Sequence, residues 1–124
     1  KEIGKDLMFI YKRASNIISN ELKSEKIELT GSADPGLFKN EFEKTLYKKI
    51  HEIRKDFTNI GRDGDYEGIL KTLSLAKKEV NEFFDNVIVN DQDELIKKNR
   101  LELLQMLCKT FDNYLNFSKV ESLE

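Results

Sequence analysis

The sequence is short of the residues that mark most other protein classes. Its one cysteine, Cys108, has no partner in the chain, so no internal disulfide framework holds the fold. Set beside Met106, Leu107 and Phe111, it reads as a packing residue rather than a nucleophile. Only one proline, Pro35, interrupts 124 residues, and glycine falls mainly in a few short clusters, so little in the chain opposes long helices. No apolar run comes near the roughly 20 residues that cross a bilayer, and the N-terminus lacks the apolar core and cleavage site of a secretory signal. No membrane contact and a cytoplasmic location are therefore expected. The one histidine, His51, stands among Lys48, Lys49, Glu52 and Arg54 with no Ser or Cys arrangement to serve, which makes it a surface residue.

What is present is charge and helical periodicity. With 39% apolar and 35% charged residues, the chain can build one modest core under a heavily solvated surface. An all-α helical bundle of about four main helices is expected, forming a single domain over residues 1–122. Lys1 in place of Met, and Leu123 and Glu124 as a tag remnant, suggest a piece of a longer polypeptide. Ile3, Leu7, Ile10, Ala14, Ile17 and Ile18 form one stripe of a first helix ending near Leu22. Asp34 and Pro35 look like the cap and first position of a second helix from Leu37 to Asn59, with Phe38, Phe42, Leu46, Ile50, Ile53 and Phe57 inward. Ile60 to Asp65 breaks the pattern, and a third helix resumes from Tyr66 to Lys78. A brief helical turn through Phe84 and an extended Val87-Ile88-Val89 follow. Asp91 and Glu94 have the spacing of a capping box that opens a fourth helix reaching Asn116, with Leu95, Leu101, Leu104, Leu107, Cys108, Phe111, Tyr114 and Leu115 on its apolar face.

No motif in the chain carries bond-making chemistry, so no catalytic residue and no metal site is expected. Asp85, Asp91, Asp93 and Glu94 miss the spacing of a calcium loop, and capping accounts for part of the cluster. Gly61-Arg62-Asp63-Gly64 lacks the ending and the preceding strand of a phosphate loop, and reads as a turn. Basic pairs recur at Lys12-Arg13, Lys48-Lys49, Arg54-Lys55, Lys77-Lys78 and Lys97-Lys98, followed by Arg100. They could line an RNA surface, but a net charge of -2 and a pI of about 5.6 favour solvated helix faces on composition alone.

The stretch from Glu82 to Leu104 is the most specific part of the chain. Phe83-Phe84-Asp85-Asn86-Val87-Ile88-Val89 and Asp93-Glu94-Leu95-Ile96-Lys97-Lys98-Asn99-Arg100-Leu101 resemble two consecutive motifs of the DALR-type anticodon-binding domain in bacterial glycyl-tRNA synthetase beta subunits. These are Phe-Phe-Asp-x-Val-x-Val and Asp-Glu-Ala-Leu-Arg-x-Asn-Arg-Leu. Tyr11 to Ile18 and Asp34 to Phe38 are similar to two further segments of that family, in the same order. Leu95 replaces the family's Ala, and Lys97 replaces its Arg, which removes a planar two-pronged donor.

The resemblance implies a non-catalytic tRNA anticodon-arm module within a glycine-tRNA ligase. Its partners would be glycine tRNA and the alpha subunit of a heterotetramer, with ATP and Mg²⁺ used by the parent enzyme and no cofactor held in this stretch. Lys12, Arg13, Asn16, Lys97 and Arg100 are the candidate tRNA contacts. Asn16 could instead satisfy a backbone group, and Arg100 could instead form an interhelical ion pair, with Asp85 as its candidate partner. Phe83, Phe84, Asp85, Asp93, Glu94, Asn99 and Leu101 are motif residues that build the fold. Two alternatives stay open: a protein-interaction bundle, and the related anticodon-binding domain of an arginyl-tRNA synthetase.

Overall fold

A computed structural model describes residues 2–24, 26–60 and 66–115, without the side chains of Glu2, Ile3, Asn59 and Ile60. The described residues form an all-α arrangement: α1 (Glu2–Ser24), α2 (Glu41–Ile60), α3 (Tyr66–Ser74), α4 (Lys77–Asn86) and α5 (Glu94–Leu115), with a 3-10 turn at Pro35–Leu37. The expected turn at Gly61-Arg62-Asp63-Gly64, the end of the fourth helix at Asn116 and the last two residues lie outside the described residues. No described helix is long and apolar enough to cross a membrane.

One core holds the helices together. Leu7, Ile10 and Ala14 of α1, Leu46, Ile50, Ile53 and Phe57 of α2, and Leu101, Leu104, Leu107 and Phe111 of α5 are buried in it, joined by Leu73, Val80 and Phe83. Leu7 to Ile18 of the α1 stripe and Phe42 to Phe57 of the α2 stripe turn toward the core as their periodicity predicts, while Phe38 lies in extended backbone before α2 and the side chain of Ile3 is outside the described residues. α5 packs against both α1 and α2, while α3 and α4 close the remaining side. Phe57 of α2 stacks on Tyr114 of α5 with ring centroids 3.7 Å apart. Tyr11 of α1 donates its hydroxyl to Asp112 of α5 at 2.9 Å.

Three boundaries differ from those the sequence suggests. Asp34 does cap a turn, accepting from the Gly36 amide at 2.9 Å, but only a single 3-10 turn follows before Phe38 goes extended. α2 starts instead after Asn40: the Glu43 amide donates to Asn40 Oδ1 (3.1 Å), and the Asn40 amide donates back to Glu43 Oε1 (3.1 Å). That reciprocal pair satisfies amides left over at a helix start.

The expected third helix is two helices. Leu75 and Ala76 donate to Thr72 and Leu73, three residues back, and tighten the chain. The Thr72 and Ser74 hydroxyls bond to the carbonyls of Gly68 (2.9 Å) and Lys71 (2.6 Å), the local competition that weakens a helix from within. What looks like a brief turn at Phe84 is the end of the ten-residue α4.

At α5 the cap is Asp93, not Asp91. Its Oδ1 accepts from the Leu95 and Ile96 amides at 2.9 and 3.4 Å, while the Asp91 amide bonds to Val89 O. The shift turns Ile96 inward and leaves Leu95, expected in the core, 63% exposed.

Cys108 lies in this core, and burial pushes its thiol up to about 12 from an ordinary 9.0, with Asp112 adding to the effect. The native state keeps that proton over a range where the unfolded chain has lost it. The stabilisation is complete below pH 9 and fades as pH rises to about 12, at about 1.4 kcal/mol per pH unit. Urea midpoints of the native chain and Cys108→Ala should therefore converge through that window. Parallel curves would show that the thiol ionises freely in the folded state.

Candidate nucleic-acid interface

The residues nominated for RNA contact divide into a buried set and an exposed set. Lys97 is 2% exposed, and its ammonium lies 2.9 Å from Glu21 of α1. Arg100 is buried too: Nε donates to Glu43 Oε2 at 3.1 Å, and the NH1 nitrogen donates to Ile88 O at 2.7 Å and Asp91 Oδ1 at 3.4 Å. Neither cation faces solvent, which corrects their assignment as tRNA contacts. Arg100 does make an interhelical ion pair, but with Glu43 rather than Asp85, which is exposed.

Other motif residues, Phe83, Asn99 and Leu101, belong to the same internal frame. Asn99 exchanges two hydrogen bonds with the backbone of Asp34, at 2.7 and 3.0 Å. One turn on, Glu102 accepts from the Thr30 amide (2.8 Å), the Thr30 hydroxyl (2.9 Å) and the Gly31 amide (2.7 Å). Gly31 has φ +87°, a backbone conformation that other residues adopt only under strain, so this turn favours glycine. Phe83 and Leu101 are fully buried, Asp93 caps α5, and Glu94 lies exposed in its first turn.

The exposed set lies on α1. Lys12 is half-buried, and Arg13 and Asn16 are exposed. Arg13 sits over the ring of Phe84 with its central carbon 4.3 Å from the centroid, which ties this face to α4. At about 100° per residue, Lys5, Phe9, Lys12, Arg13 and Asn16 share one arc opposite the core stripe. The acids of α1 beyond its first turn, Asp6 and Glu21, are each held by a lysine of another helix, at 2.6 Å by Lys77 and 2.9 Å by Lys97. Among the described side chains, the charged residues on this arc, Lys5, Lys12 and Arg13, are all cationic within a chain of net charge -2.

Phe9 is the residue that sequence reasoning passed over. It is 66% exposed and shares a shallow depression of about 210 Å³ with Lys5, Met8 and Lys12. Its signal was its position: a large aromatic off the stripe of Leu7, Ile10 and Ala14, spaced from Lys5 and Lys12 by one helical turn.

Several other cations serve the fold. Arg54 donates to Thr110 Oγ1 (2.8 Å) and Met106 O (3.1 Å) on α5, and burial lowers its pKa from the usual arginine value. Lys49 pairs with Glu52 at 3.2 Å. His51 is exposed and meets Tyr47 edge-on, with centroids 4.5 Å apart.

Residues 7–124 match the DALR anticodon binding domain family. The chain is 39% identical over 120 residues to the glycine-tRNA ligase beta subunits of Rickettsia prowazekii and Rickettsia typhi, and 38% identical to that of Rickettsia peacockii. Each alignment covers 97% of this chain and 17% of the relative, so the chain spans about a sixth of the length of those relatives.

Burial of Arg100 has a measurable consequence. With its side chain 8% exposed and that of Glu43 fully buried, removing Arg100 strands the carboxylate, and removing Glu43 leaves the guanidinium only the longer contact to Asp91 and the Ile88 carbonyl. Arg100→Met and Glu43→Gln should each cost about 3–5 kcal/mol in urea unfolding. A loss below about 1 kcal/mol for both would mean that the pair is solvated.

Proposed function

The chain belongs to the DALR anticodon binding domain family, and from that premise we propose that it binds the anticodon arm of a tRNA through the outer face of α1. The observation that carries this role is the one-sided charge of α1, where Lys5, Lys12 and Arg13 point outward while Asp6 and Glu21 are taken up by Lys77 and Lys97. Phosphate contacts need such cations, and their number sets the salt dependence of binding. Asn16 on the same arc can donate to and accept from the edge of an unpaired base.

Similarity to the Rickettsia chains supports a finer assignment, the anticodon-binding part of a glycine-tRNA ligase beta subunit acting on glycine tRNA in the cytoplasm. In that setting the domain does no bond-making. It fixes one end of a long substrate so that the distant acceptor end reaches the site of ligation, an orientation effect. Joining glycine to tRNA with ATP and Mg²⁺ belongs to the assembled enzyme, with an alpha subunit as partner in a heterotetramer. A second role, contact with a protein surface, is favoured by Ile88 and Leu95, which are 74% and 63% exposed near the start of α5.

Binding to an anticodon-arm hairpin of glycine tRNA at several salt concentrations tests the proposal. Affinity should fall steeply with salt, and Lys12→Gln and Arg13→Gln should each reduce the slope of log K against log salt by about 1. Arg13→Gln should also cost about 0.5–1 kcal/mol of stability through loss of its place on Phe84. No binding at low salt, or slopes that neither substitution alters, would exclude this face and favour the protein contact.

A further inference from the structure

Resting on the tRNA-binding role just described, we propose that Phe9 is a stacking platform for one unpaired base of the bound RNA, with Lys5 and Lys12 holding the flanking phosphates. A phenyl ring that is 66% exposed on a helix gains little from its own fold. Here it rises from a depression floored by the buried Met8 and bounded by Lys5 and Lys12, one helical turn to either side. An apolar protein surface is a poor occupant. The other large exposed apolar side chains among the described residues, Tyr66, Leu75, Ile88 and Leu95, all lie outside α1, so Phe9 is the one large apolar side chain exposed on the described part of that helix.

The residues that share its depression are cationic or neutral instead, and Asp6, three residues before it, is held by Lys77 at 2.6 Å. An aromatic face with a cation one turn to either side matches a nucleotide, which offers a flat ring between two anionic phosphates. Stacking of this kind accepts any base. Phe9 would therefore select unpaired over paired RNA rather than one base over another, and base identity would fall to edge contacts from groups such as Asn16.

The test uses the chain with two probes: an anticodon-arm hairpin carrying 2-aminopurine in its loop, and the duplex stem without the loop. The native chain should bind the hairpin and quench the probe. Phe9→Leu should weaken hairpin binding roughly 5- to 150-fold, the range of single base-aromatic stacks, with stem affinity, salt slope and melting temperature unchanged. Phe9→Tyr should restore both affinity and quenching. If Phe9→Leu binds and quenches like the native chain, or weakens hairpin and stem equally, the stacking role is wrong while anticodon-arm binding stands. If the native chain binds neither RNA, the tRNA-binding role falls and the stack with it.

Discussion

Arg100 reaches from α5 to a carboxylate that has no exposure to water, and much of the chain's geometry follows from that contact. Glu43 accepts from Arg100 with one oxygen and from the Lys39 and Asn40 amides with the other, at 2.7 and 3.1 Å, so a single side chain starts α2 and pins it to α5. Along the same helix, Lys97 holds α1 through Glu21, Asn99 holds the backbone at Asp34, and Glu102 holds Thr30 and Gly31. Lys97, Asn99, Arg100 and Glu102 of α5 thus each have partners outside that helix. Burying a charge or amide is costly without such a partner, so alternative packings of these helices would leave groups stranded.

Placing these polar groups inside has a functional consequence. The part of the sequence that most closely resembles known anticodon-binding domains, Asp93 to Leu101, is mostly committed to the interior, where Lys97 and Arg100 are held in ion pairs and only Lys98 of its cations keeps partial exposure. Lys97 also takes up Glu21, and Lys77 takes up Asp6, so the interior and a neighbouring helix remove negative charge from the face of α1. That face is then positive on an acidic protein. Arg13 held on Phe84 adds rigidity where a contact with RNA would otherwise have to order a long side chain.

Much of this was legible in the sequence. The core stripes of α1 and α2 and the packing of Cys108 follow from spacing and residue type, and the kinship of Phe83 to Leu101 from its resemblance to a known family. The break between α3 and α4 was hidden because Ile69, Leu70, Leu73, Ala76, Val80 and Phe83 keep their inward order across it, and hydroxyl back-bonding leaves no mark on a hydrophobic pattern. Asn40 and Glu43 held a readable capping signal, obscured by the stronger-looking Asp34-Pro35. The fate of Lys97 and Arg100 was not local at all. Their partners Glu21 and Glu43 lie on other helices, and only the packing of α5 against α1 and α2 brings them together.

The central claim is that the motif on α5 builds the domain while the outer face of α1 meets RNA. Backbone amide shifts of the isotope-labelled chain, followed while an anticodon-arm hairpin is added, address it most directly. The largest changes should fall on α1 between Lys5 and Asn20, with Lys97, Asn99 and Arg100 moving no more than the rest of the core. Changes centred on Ile88 to Lys98, with α1 silent, would contradict it.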